Sequence, residues 1–292
     1  MLSISVEKLH EFLRFAHNDR MAGEFYGATT EGFALRMTQK LNLNADLGES
    51  FGAWRMGEDE ALLRVVQSAS LACGFHAGDP VTMRRTVRIA IAAGVSIGAH
   101  PSYPDLQGFG RRSMKCSAEE VEALVLYQIG ALDGFARAEG GRVSHVKPHG
   151  ALSNDSCRDA ALAETIVRAI KAYDEKLILL APAFSRLAEA GAAAGLNVAI
   201  EIFADRTLED DGALTPRSET GAVLHEAAAC HAHVAAMLEA KGVVTRSGKI
   251  LPTPIHSVCV HGDGPGAVEI AASVKDFLRE NFALAPLPAL FA

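Results

Sequence analysis

Seven short apolar runs alternate with amphipathic helical patterns from residue 41 onward, and this alternation limits the fold more than any other feature. Strands that alternate with helices form a parallel sheet, because each helix carries the chain back to the same edge. The runs are mainly apolar, as in strands that are buried on both faces. They lie at 41–47, 66–73, 95–99, 143–147, 177–181, 198–203 and 258–261.

This order of elements predicts an α/β fold. A barrel of seven or eight β/α units is the first choice, and an open doubly wound sheet is the second. Long connections at 100–116 and 204–218 favour the barrel, because barrels build their sites from the loops that follow the strands. Residues 242–256 contain Gly and Pro and predict a loop or a small hairpin.

Two of the predicted helices begin with a capping pattern. Asp79 precedes Pro80, so we expect Asp79 to cap a helix that runs to Ala93. Ser117 and Glu120 form a capping box before the next helix. Further helices are predicted at approximately 157–173, 184–194, 219–240 and 266–281.

Residues 1–36 differ from the rest of the chain, because a short helical pattern is followed by a Gly-rich stretch without a period. We interpret them as a non-native or loosely ordered extension upstream of Met37. A helix that packs on the body or on a partner is the alternative. Residues 37–292 are predicted to form one catalytic barrel domain.

Charge and composition exclude several classes of partner. The chain of 292 residues carries a net charge of -7 and has no basic stripe, so we expect neither nucleic acid nor a membrane surface as a partner. No apolar run reaches the ~18 residues that span a bilayer, and the N-terminus lacks the pattern of a signal peptide. Five widely spaced cysteines without a CxxC pair fit a reducing cytoplasm.

Charged and imidazole side chains follow nearly every predicted strand. Because the carboxyl ends of barrel strands meet on one face, we expect these side chains to converge there. Such convergence is costly unless the groups pair or bind a ligand. In strand order they are Asn44, Asp46 and Glu49; His76; His100, Arg111 and Arg112; Lys147 and His149; Glu201, Asp205 and Arg206; and His261 and Asp263.

Other polar residues have ordinary explanations. Asp79 is expected to cap a helix, and His145 is expected to pack or bond locally within its strand. His225, His231 and His233 lie on a predicted helix as surface or satisfied core residues. Such roles do not explain polar groups at six strand ends together.

Three of the converging residues suggest a metal site. Asp46, His76 and His100 form a His/His/carboxylate set at three strand ends, and His149 and His261 are further donors. Imidazole and carboxylate suit zinc or a similar divalent ion. Without a metal, these groups would act as general acids, bases and substrate donors, while Lys147 and the arginines would hold an anion.

Other kinds of active site find little support. The sequence has no GxxxxGK[ST] phosphate loop, although the Gly-rich stretch 261–266 would receive an anion if it opened a helix. There is no Gly-x-Ser-x-Gly turn either. A thiolate nucleophile at Cys73 stays open, but nothing in the sequence clearly activates it.

The strand-end motifs together resemble the LamB/YcsF family, from about residue 40 to residue 283. Two positions depart from the family pattern: Ser153 stands where Tyr is usual, and Thr207-Leu208 stand where an aromatic residue often follows. Both departures concern contacts with the substrate. The matching motifs are LNADLGESFG at 43–52, ACGFHAGDP at 72–80, GAHPSYPD at 98–105, GFGRR at 108–112, VKPHGAL at 146–152, EIFADR at 201–206 and VHGD at 260–263.

The resemblance implies an incomplete TIM-like (β/α)7 barrel of the glycoside hydrolase/deacetylase type. It implies ATP-dependent opening of 5-oxoproline to L-glutamate, carried out together with 5-oxoprolinase subunits B and C. The missing phosphate loop then agrees with ATP being bound mainly by those partners. A divalent metal stays open as a second cofactor.

On this interpretation each strand-end residue receives an expected role. The substrate carboxylate must be held, the attacking water activated, and protons moved to and from the ring nitrogen and oxygen. The expected substrate-binding residues are Asn44, Arg111, Arg112, Arg206 and Asp263. The expected catalytic residues are Asp46, Glu49, His76, His100, Lys147, His149, Asp205 and His261.

Two other functions remain open from the sequence. One is a stand-alone metal-dependent hydrolase or deacetylase that acts on a carbohydrate or an amide, as the set of Asp46, His76 and His100 suggests. The other is a non-catalytic subunit that binds the substrate and delivers it to partners. A stoichiometric metal and activity without ATP would favour the hydrolase, whereas tight binding of 5-oxoproline with no loss of turnover on altering Asp46 would favour the binding subunit.

Overall fold

The computed structural model describes residues 39–292, apart from 263 and 265. The extension predicted for residues 1–36 and the substrate contact predicted for Asp263 therefore lie outside the described residues. A single domain over 37–292 likewise stays a prediction.

Seven parallel strands close into a barrel within the described residues, and the first choice of fold is confirmed. Strand β1 (Lys40–Leu47) pairs with β2 (Ser68–Ala72) on one side and with β9 (Ser257–Val260) on the other, so the seven-stranded barrel has no free edge. The open doubly wound sheet is thereby excluded. The barrel strands are β1 (Lys40–Leu47), β2 (Ser68–Ala72), β3 (Ser96–His100), β4 (Val143–Val146), β5 (Ile178–Pro182), β6 (Val198–Phe203) and β9 (Ser257–Val260).

Helices surround the barrel and begin where the capping residues predict. Asp79 accepts hydrogen bonds from the backbone N–H groups of Val81 and Thr82, and both halves of the Ser117–Glu120 capping box are present. The α-helices of the described part are α1 (Asp59–Leu63), α2 (Pro80–Ala92), α3 (Ala118–Ala138), α4 (Gly150–Ser156), α5 (Ala160–Tyr173), α6 (Arg186–Ala193), α7 (Ala227–Ala240) and α8 (Ala267–Asn281).

Two helix predictions differ from the structure in their extent. The helix predicted from about 157 begins at Ala160, where Asp159 caps α5, and the sequence did not predict the separate short helix α4 that ends at Ser156. Helix α7 begins at Ala227 rather than near 219, because the chain before it folds back and pairs with the segment after β6. This returning chain borders the mouth of the barrel.

Strand β1 shows why the barrel interior is polar. Side chains of a strand point alternately to its two faces. Leu41, Leu43, Ala45 and Leu47 pack with the helices in the main core, whereas Asn42, Asn44 and Asp46 make polar contacts with side chains of other barrel strands. The expected continuously apolar strand is therefore an alternating one, with a polar face toward the lumen.

The C-terminal segment closes the amino end of the barrel. Strand β10 (Ala283–Leu284) pairs with the first residues of β1, and a 3₁₀-helix (Leu287–Leu290) follows. Leu287 is fully buried against Ile178 and Leu180 of β5. Since this end is filled, the opposite end provides access to the lumen.

A small antiparallel hairpin lies outside the barrel. Strands β7 (Gly242–Val244) and β8 (Ile250–Pro252) form it, as the Gly and Pro content of 242–256 predicts. None of the described helices is long and apolar enough to cross a lipid bilayer.

Gly98 provides a test of packing in the lumen. A β-carbon at Gly98 would collide with the imidazole ring of His145, which is fully buried. We expect Gly98→Ala to lower the free energy of unfolding by about 1–3 kcal/mol, as overpacking does in other cores. Urea unfolding followed by circular dichroism measures this.

A matched control uses an exposed helical glycine. A β-carbon at Gly134 of α3 meets no atom within 4 Å, so Gly134→Ala should raise stability by about 0.5–1 kcal/mol. Equal effects of the two substitutions would contradict close packing between Gly98 and His145.

Candidate active site

A cavity of about 690 Å³ lies at the carboxyl end of the barrel. Loops that follow β1, β3, β4, β5, β6 and β9 contribute to its wall, so the expected convergence of strand-end residues occurs. Among the residues predicted from the sequence, those that border the cavity are Asp46, Glu49, His100, Arg111, Lys147, His149, Arg206 and His261.

Lys147 lies at the centre of a polar cluster on the floor of this cavity. Its Nζ atom is 3.0 Å from Asp46 Oδ1 and 3.1 Å from Glu201 Oε1. It also donates to Asn44 Oδ1 at 3.3 Å and to Cys259 Sγ at 3.1 Å. One ammonium group thus joins residues from β1, β6 and β9 to the end of β4.

Burial and nearby charge shift the pKa values of the two carboxyl groups of this cluster, Asp46 and Glu201, in opposite directions. Burial raises the pKa of both, but the positive charges near Asp46 outweigh burial and hold its pKa well below the usual value. For Glu201, burial dominates and its pKa is raised. Burial would lower the pKa of Lys147, yet its anionic neighbours raise it well above normal. The cluster therefore contains a permanent cation beside an ionised Asp46.

Glu201 and Cys259 are the members of this cluster that the predicted site residues did not include. Glu201 is the one acid within the apolar run of β6, and a buried charge inside a strand is costly without a partner. An isolated acid in an apolar strand is the sequence feature that indicates a buried partner for Glu201. The sequence indicates Cys259 more weakly. It lies two residues before His261, which places both side chains on the same face of the strand.

Three histidines and Glu49 form a second cluster beside the first. His149 Nδ1 lies 2.9 Å from His100 Nε2, and the rings of His76 and His149 are stacked with centroids 3.8 Å apart. Glu49 Oε1 is 3.3 Å from His76 Nε2 and 3.6 Å from His149 Nδ1. All four residues are buried, and we call them the histidine cluster.

Two imidazoles of this cluster, those of His76 and His149, are held in their neutral form. Burial lowers the pKa of His76 and of His149 well below the usual value, and neighbouring histidines lower both further. Neutral imidazole is the form that binds metals and accepts protons. The histidine cluster is therefore suited to either task.

The donor groups that lie close enough to share one ion differ from the predicted triplet. Glu49, His76, His100 and His149 each offer a donor atom, and these atoms lie within 4.8 Å of one another. Asp46 approaches His100 Nε2 at 3.3 Å, but its other oxygen faces Lys147. Asp46 belongs instead with Cys259 and His261 in a second group of potential ligands.

Gly110 allows a loop to pass directly over the histidine cluster. A β-carbon at this position would collide with the Ser102 hydroxyl and crowd the ring of His149 and the β-carbon of His76. Gly110 also has a φ of 64°, in the left-handed region that favours glycine. The loop can therefore place the Phe109 carbonyl 2.9 Å from His149 Nε2.

Asp205 and His261 form an ion pair at the edge of the cavity. His261 Nδ1 lies 2.7 Å from Asp205 Oδ1 and 2.9 Å from Oδ2. Burial would lower the pKa of His261, but the charge of Asp205 and its hydrogen bond raise it above the usual value. Burial would raise the pKa of Asp205, and His261 lowers it. Both shifts favour the charged pair.

The three predicted arginines have different surroundings. Arg111 borders the cavity, with its guanidinium 4.9 Å from the ring centroid of Phe109. Arg206 also borders it, but donates to the carbonyl groups of Thr215 and Ala222 and so holds the loop before α7. Arg112 forms an ion pair with Asp105 and is largely exposed, and it does not border the cavity.

His145, His231 and His233 have structural environments, as expected. His145 lies within β4, bonded to the hydroxyl of Ser144, and burial lowers its pKa to about 3. His233 lies on α7 and donates to the Arg206 carbonyl, and His231 packs against Phe277. His225 precedes α7 instead of lying on it.

Comparison with known proteins adds a family and close relatives. The family model "LamB/YcsF family" matches residues 41–291. A protein of Azoarcus sp. (strain BH72), named as the A subunit of 5-oxoprolinase, is 62% identical over 85% of this chain and 98% of its own. One of the same name from Methylococcus capsulatus is 55% identical over 82% and 92%. The crystal structure of a "Lactam Utilization Protein" from Thermus thermophilus matches with a TM-score of 0.80 and 42% identity, over 85% of this chain and 99% of that one.

The ion pair at the cavity edge predicts a pH dependence. Because the pKa of His261 is raised in the folded protein, its contribution to stability is complete below about pH 6.5 and is lost as the pH rises through the raised value. We expect Asp205→Asn to lower the pKa of His261 and to remove this loss. Titration of the ring nitrogens by NMR measures the pKa.

His145 serves as an internal reference in the same spectra. With a pKa of about 3, its ring should stay neutral near pH 7 in both proteins. A neutral His261 near pH 7 in the unmodified protein, or the same pKa in the variant, would contradict the charged pair.

Proposed function

The chain belongs to the LamB/YcsF family, and we propose that it is the subunit of a 5-oxoprolinase that opens the lactam of 5-oxoproline to L-glutamate, coupled to ATP hydrolysis. We include two partners in this proposal, 5-oxoprolinase subunits B and C. The observation that carries it is the buried cluster of ionised groups around Lys147, in a chain whose relatives bear this enzyme's name.

A five-membered lactam is a stable amide, and its hydrolysis needs activation of the carbonyl group. In the proposed sequence the lactam oxygen attacks the γ-phosphorus of ATP, which forms an O–P bond and releases ADP. Water then adds to the activated carbon, and the ring C–N bond breaks with transfer of a proton to nitrogen. A second water releases phosphate from the resulting acyl phosphate, so 5-oxoproline, ATP and two waters yield glutamate, ADP and phosphate.

Asp46 and Lys147 supply fixed charges for these steps. The low pKa of Asp46 makes it a weak base but a permanent anion, suited to orienting water and to stabilising positive charge on the ring nitrogen. Lys147 is a permanent cation on the same floor, suited to stabilising negative charge on the carbonyl oxygen. Neither group requires reorganisation when the charge develops.

His261 and Asp205 supply a proton donor. Asp205 keeps the His261 ring charged, and His261 borders the cavity. A charged imidazole with a raised pKa is suited to protonating the leaving nitrogen. Asn44 and Arg206 act indirectly, since Asn44 orients Glu201 and Lys147 while Arg206 holds the loop that borders the cavity.

Arg111 is the proposed ligand for the carboxylate of the substrate. It borders the cavity beside the histidine cluster, and a guanidinium binds a carboxylate through two parallel hydrogen bonds. We do not assign Arg112 to this role, because it forms an ion pair with Asp105 and does not border the cavity. Glu49, His76, His100 and His149 complete the proposed set of catalytic groups.

The coupling to ATP is assigned to the assembled enzyme. The sequence contains no phosphate loop of the GxxxxGK[ST] type, and the word "subunit" in the relatives' name supports the presence of other chains. We propose that partner subunits bind most of the nucleotide. The lactam would then lie in the cavity of this chain.

Assay of ATP hydrolysis with and without 5-oxoproline tests the proposal. We expect ADP and glutamate only when this chain and both partner subunits are present. In that complete enzyme, Asp46→Asn should lower kcat by about 100-fold or more, because a preorganised charge of this kind contributes roughly 10²–10³. The fold should persist, since Glu201 still pairs with Lys147.

Asp276→Asn is the matched control. Asp276 is an exposed residue of α8, so this variant should keep full activity. Full activity of Asp46→Asn would remove Asp46 from the mechanism. A well-folded complete set that produces no glutamate would contradict the lactam as substrate.

A second substitution tests the carboxylate ligand. Arg111→Ala in the complete enzyme should raise KM for 5-oxoproline by at least about tenfold, because a charged hydrogen bond to a carboxylate contributes roughly 1.5–3 kcal/mol. Arg186→Ala on α6 removes an exposed arginine paired with Glu189 and should leave KM unchanged. An unchanged KM for Arg111→Ala would assign the carboxylate to another residue.

A stand-alone metal-dependent hydrolase of an amide or a carbohydrate is the second candidate. The histidine cluster favours it, because its four donor groups lie close enough to share one ion. Turnover by this chain alone, without ATP, would select this candidate. In that case Asp46 and Lys147 would still border the reacting group.

The cytoplasm is the proposed location of this activity. All five cysteines are unpaired in the structure, and three of them are buried. Unpaired thiols fit a reducing compartment. Detection of the protein in the soluble fraction of fractionated cells would test this.

A further inference from the structure

Hydrogen bonding leaves two lone pairs facing each other in the histidine cluster. His100 Nδ1 lies 2.6 Å from the Lys147 carbonyl, and His149 Nε2 lies 2.9 Å from the Phe109 carbonyl. A carbonyl oxygen only accepts, so each of these nitrogens carries a hydrogen. The other two nitrogens, His100 Nε2 and His149 Nδ1, are 2.9 Å apart and both present lone pairs when the rings are neutral.

Two lone pairs at this distance repel unless a cation lies beside them. The same arrangement, an outer N–H bonded to a backbone carbonyl and an inner nitrogen directed to a common point, is that of histidines which bind metal ions. The backbone of two separate loops fixes both rings in this arrangement. The pair is therefore built to present lone pairs inward.

Two further donors complete the set. Glu49 Oε1 lies 3.3 Å from His76 Nε2 and 3.6 Å from His149 Nδ1. His76 Nδ1 is buried without a hydrogen-bond partner among the described residues, whereas Glu49 Oε1 accepts a hydrogen bond from Nε2 when that nitrogen carries the proton. His76 Nε2 therefore presents a lone pair to an ion in the tautomer whose proton lies on Nδ1, where the ion takes the place of the Nε2 proton beside Glu49.

The spacing of the donor atoms agrees with a tetrahedral ion. Zinc binds imidazole nitrogen and carboxylate oxygen at about 2.0–2.2 Å, which places tetrahedral ligands roughly 3.3 Å apart. The three measured separations, 2.9, 3.3 and 3.6 Å, lie on both sides of this value. Three imidazoles and one carboxylate are donors that zinc and its neighbours in the first transition row accept.

We propose that Glu49, His76, His100 and His149 form a binding site for one divalent transition-metal ion of the zinc type. The ion would lie next to the cavity that Glu49, His100 and His149 border, where it would polarise a carbonyl oxygen or lower the pKa of a bound water. The site follows from the geometry of this chain alone and does not depend on the lactam being the substrate. Asp46 is not among its proposed ligands: its Oδ1 pairs with Lys147, and although its Oδ2 lies 3.3 Å from His100 Nε2, Asp46 does not belong to the group of mutually close donors.

Metal content of the full chain, purified without a polyhistidine tag, tests the site. The protein is stripped with a chelator, dialysed against buffered Zn²⁺ and analysed by elemental mass spectrometry. We expect one zinc ion per chain and a higher Tm after loading. Co²⁺ loading should give the visible absorption bands of a four-coordinate ion.

Substitutions identify the ligands. His149→Ala and the more conservative Glu49→Gln should each weaken zinc binding by about 100-fold or more, because even residues behind the ligands contribute about 10–100-fold. His231→Ala, which removes a histidine that packs on Phe277, should keep one ion per chain. Circular dichroism confirms that each variant is folded.

Two outcomes would overturn the proposal. If the unmodified chain takes up no zinc or cobalt, the cation between His100 and His149 is a shared proton. If zinc binds but His149→Ala and Glu49→Gln retain it with unchanged affinity, the ion lies elsewhere. These results are obtained on the isolated chain, so they are independent of whether the assembled enzyme opens 5-oxoproline.

Discussion

The ammonium group of Lys147, buried among anionic and polar groups in the barrel lumen, is the interaction on which the site depends. Removing an ion from water costs several kcal/mol, and only close partners offset that cost. Asp46, Glu201 and Asn44 provide them, and they come from the two strands, β1 and β6, that flank β9 in the closed barrel. Closure of the barrel therefore brings together the groups that neutralise the charge of Lys147. A sheet left open between β1 and β9 would separate Asp46 and Asn44 on β1 from Glu201 on β6, and Lys147 would lose part of its partners.

Around this cation, neighbouring ionisable groups have pKa values that are shifted in different directions. Asp46 stays ionised because positive charge lies beside it, whereas the pKa of Glu201 is raised by burial. Asp205 keeps His261 charged, while burial keeps the rings of His76 and His149 neutral. Similar side chains are thus assigned different charges by their surroundings, which is how one site provides proton donors, proton acceptors and fixed charges together.

Much of the architecture follows from the sequence because its causes are local. The apolar run predicts strand β6 at its observed bounds, Val198–Phe203, and Asp79 and Ser117 cap their helices as predicted. Helix α7 was placed too early, since residues before Ala227 contact the segment after β6, which no local pattern records. Among the site residues, Arg112 was expected in the cavity but pairs with Asp105. The sequence places Glu201 at a strand end but does not indicate its role, because its partner Lys147 is 54 residues away.

The sequence by itself determined which chemical groups stand at the strand ends, since alternation of strands and helices in a parallel barrel directs all those ends to one face. It also determined family membership, through motifs that lie at those same ends. Only the tertiary structure decided how the groups are divided: Asp46 with Lys147, Asp205 with His261, and Glu49 with three histidines. The physical reason is that pairing depends on distances of a few ångströms between strands far apart in the chain. Those distances are set by barrel closure, by burial and by the backbone carbonyl groups that orient each ring.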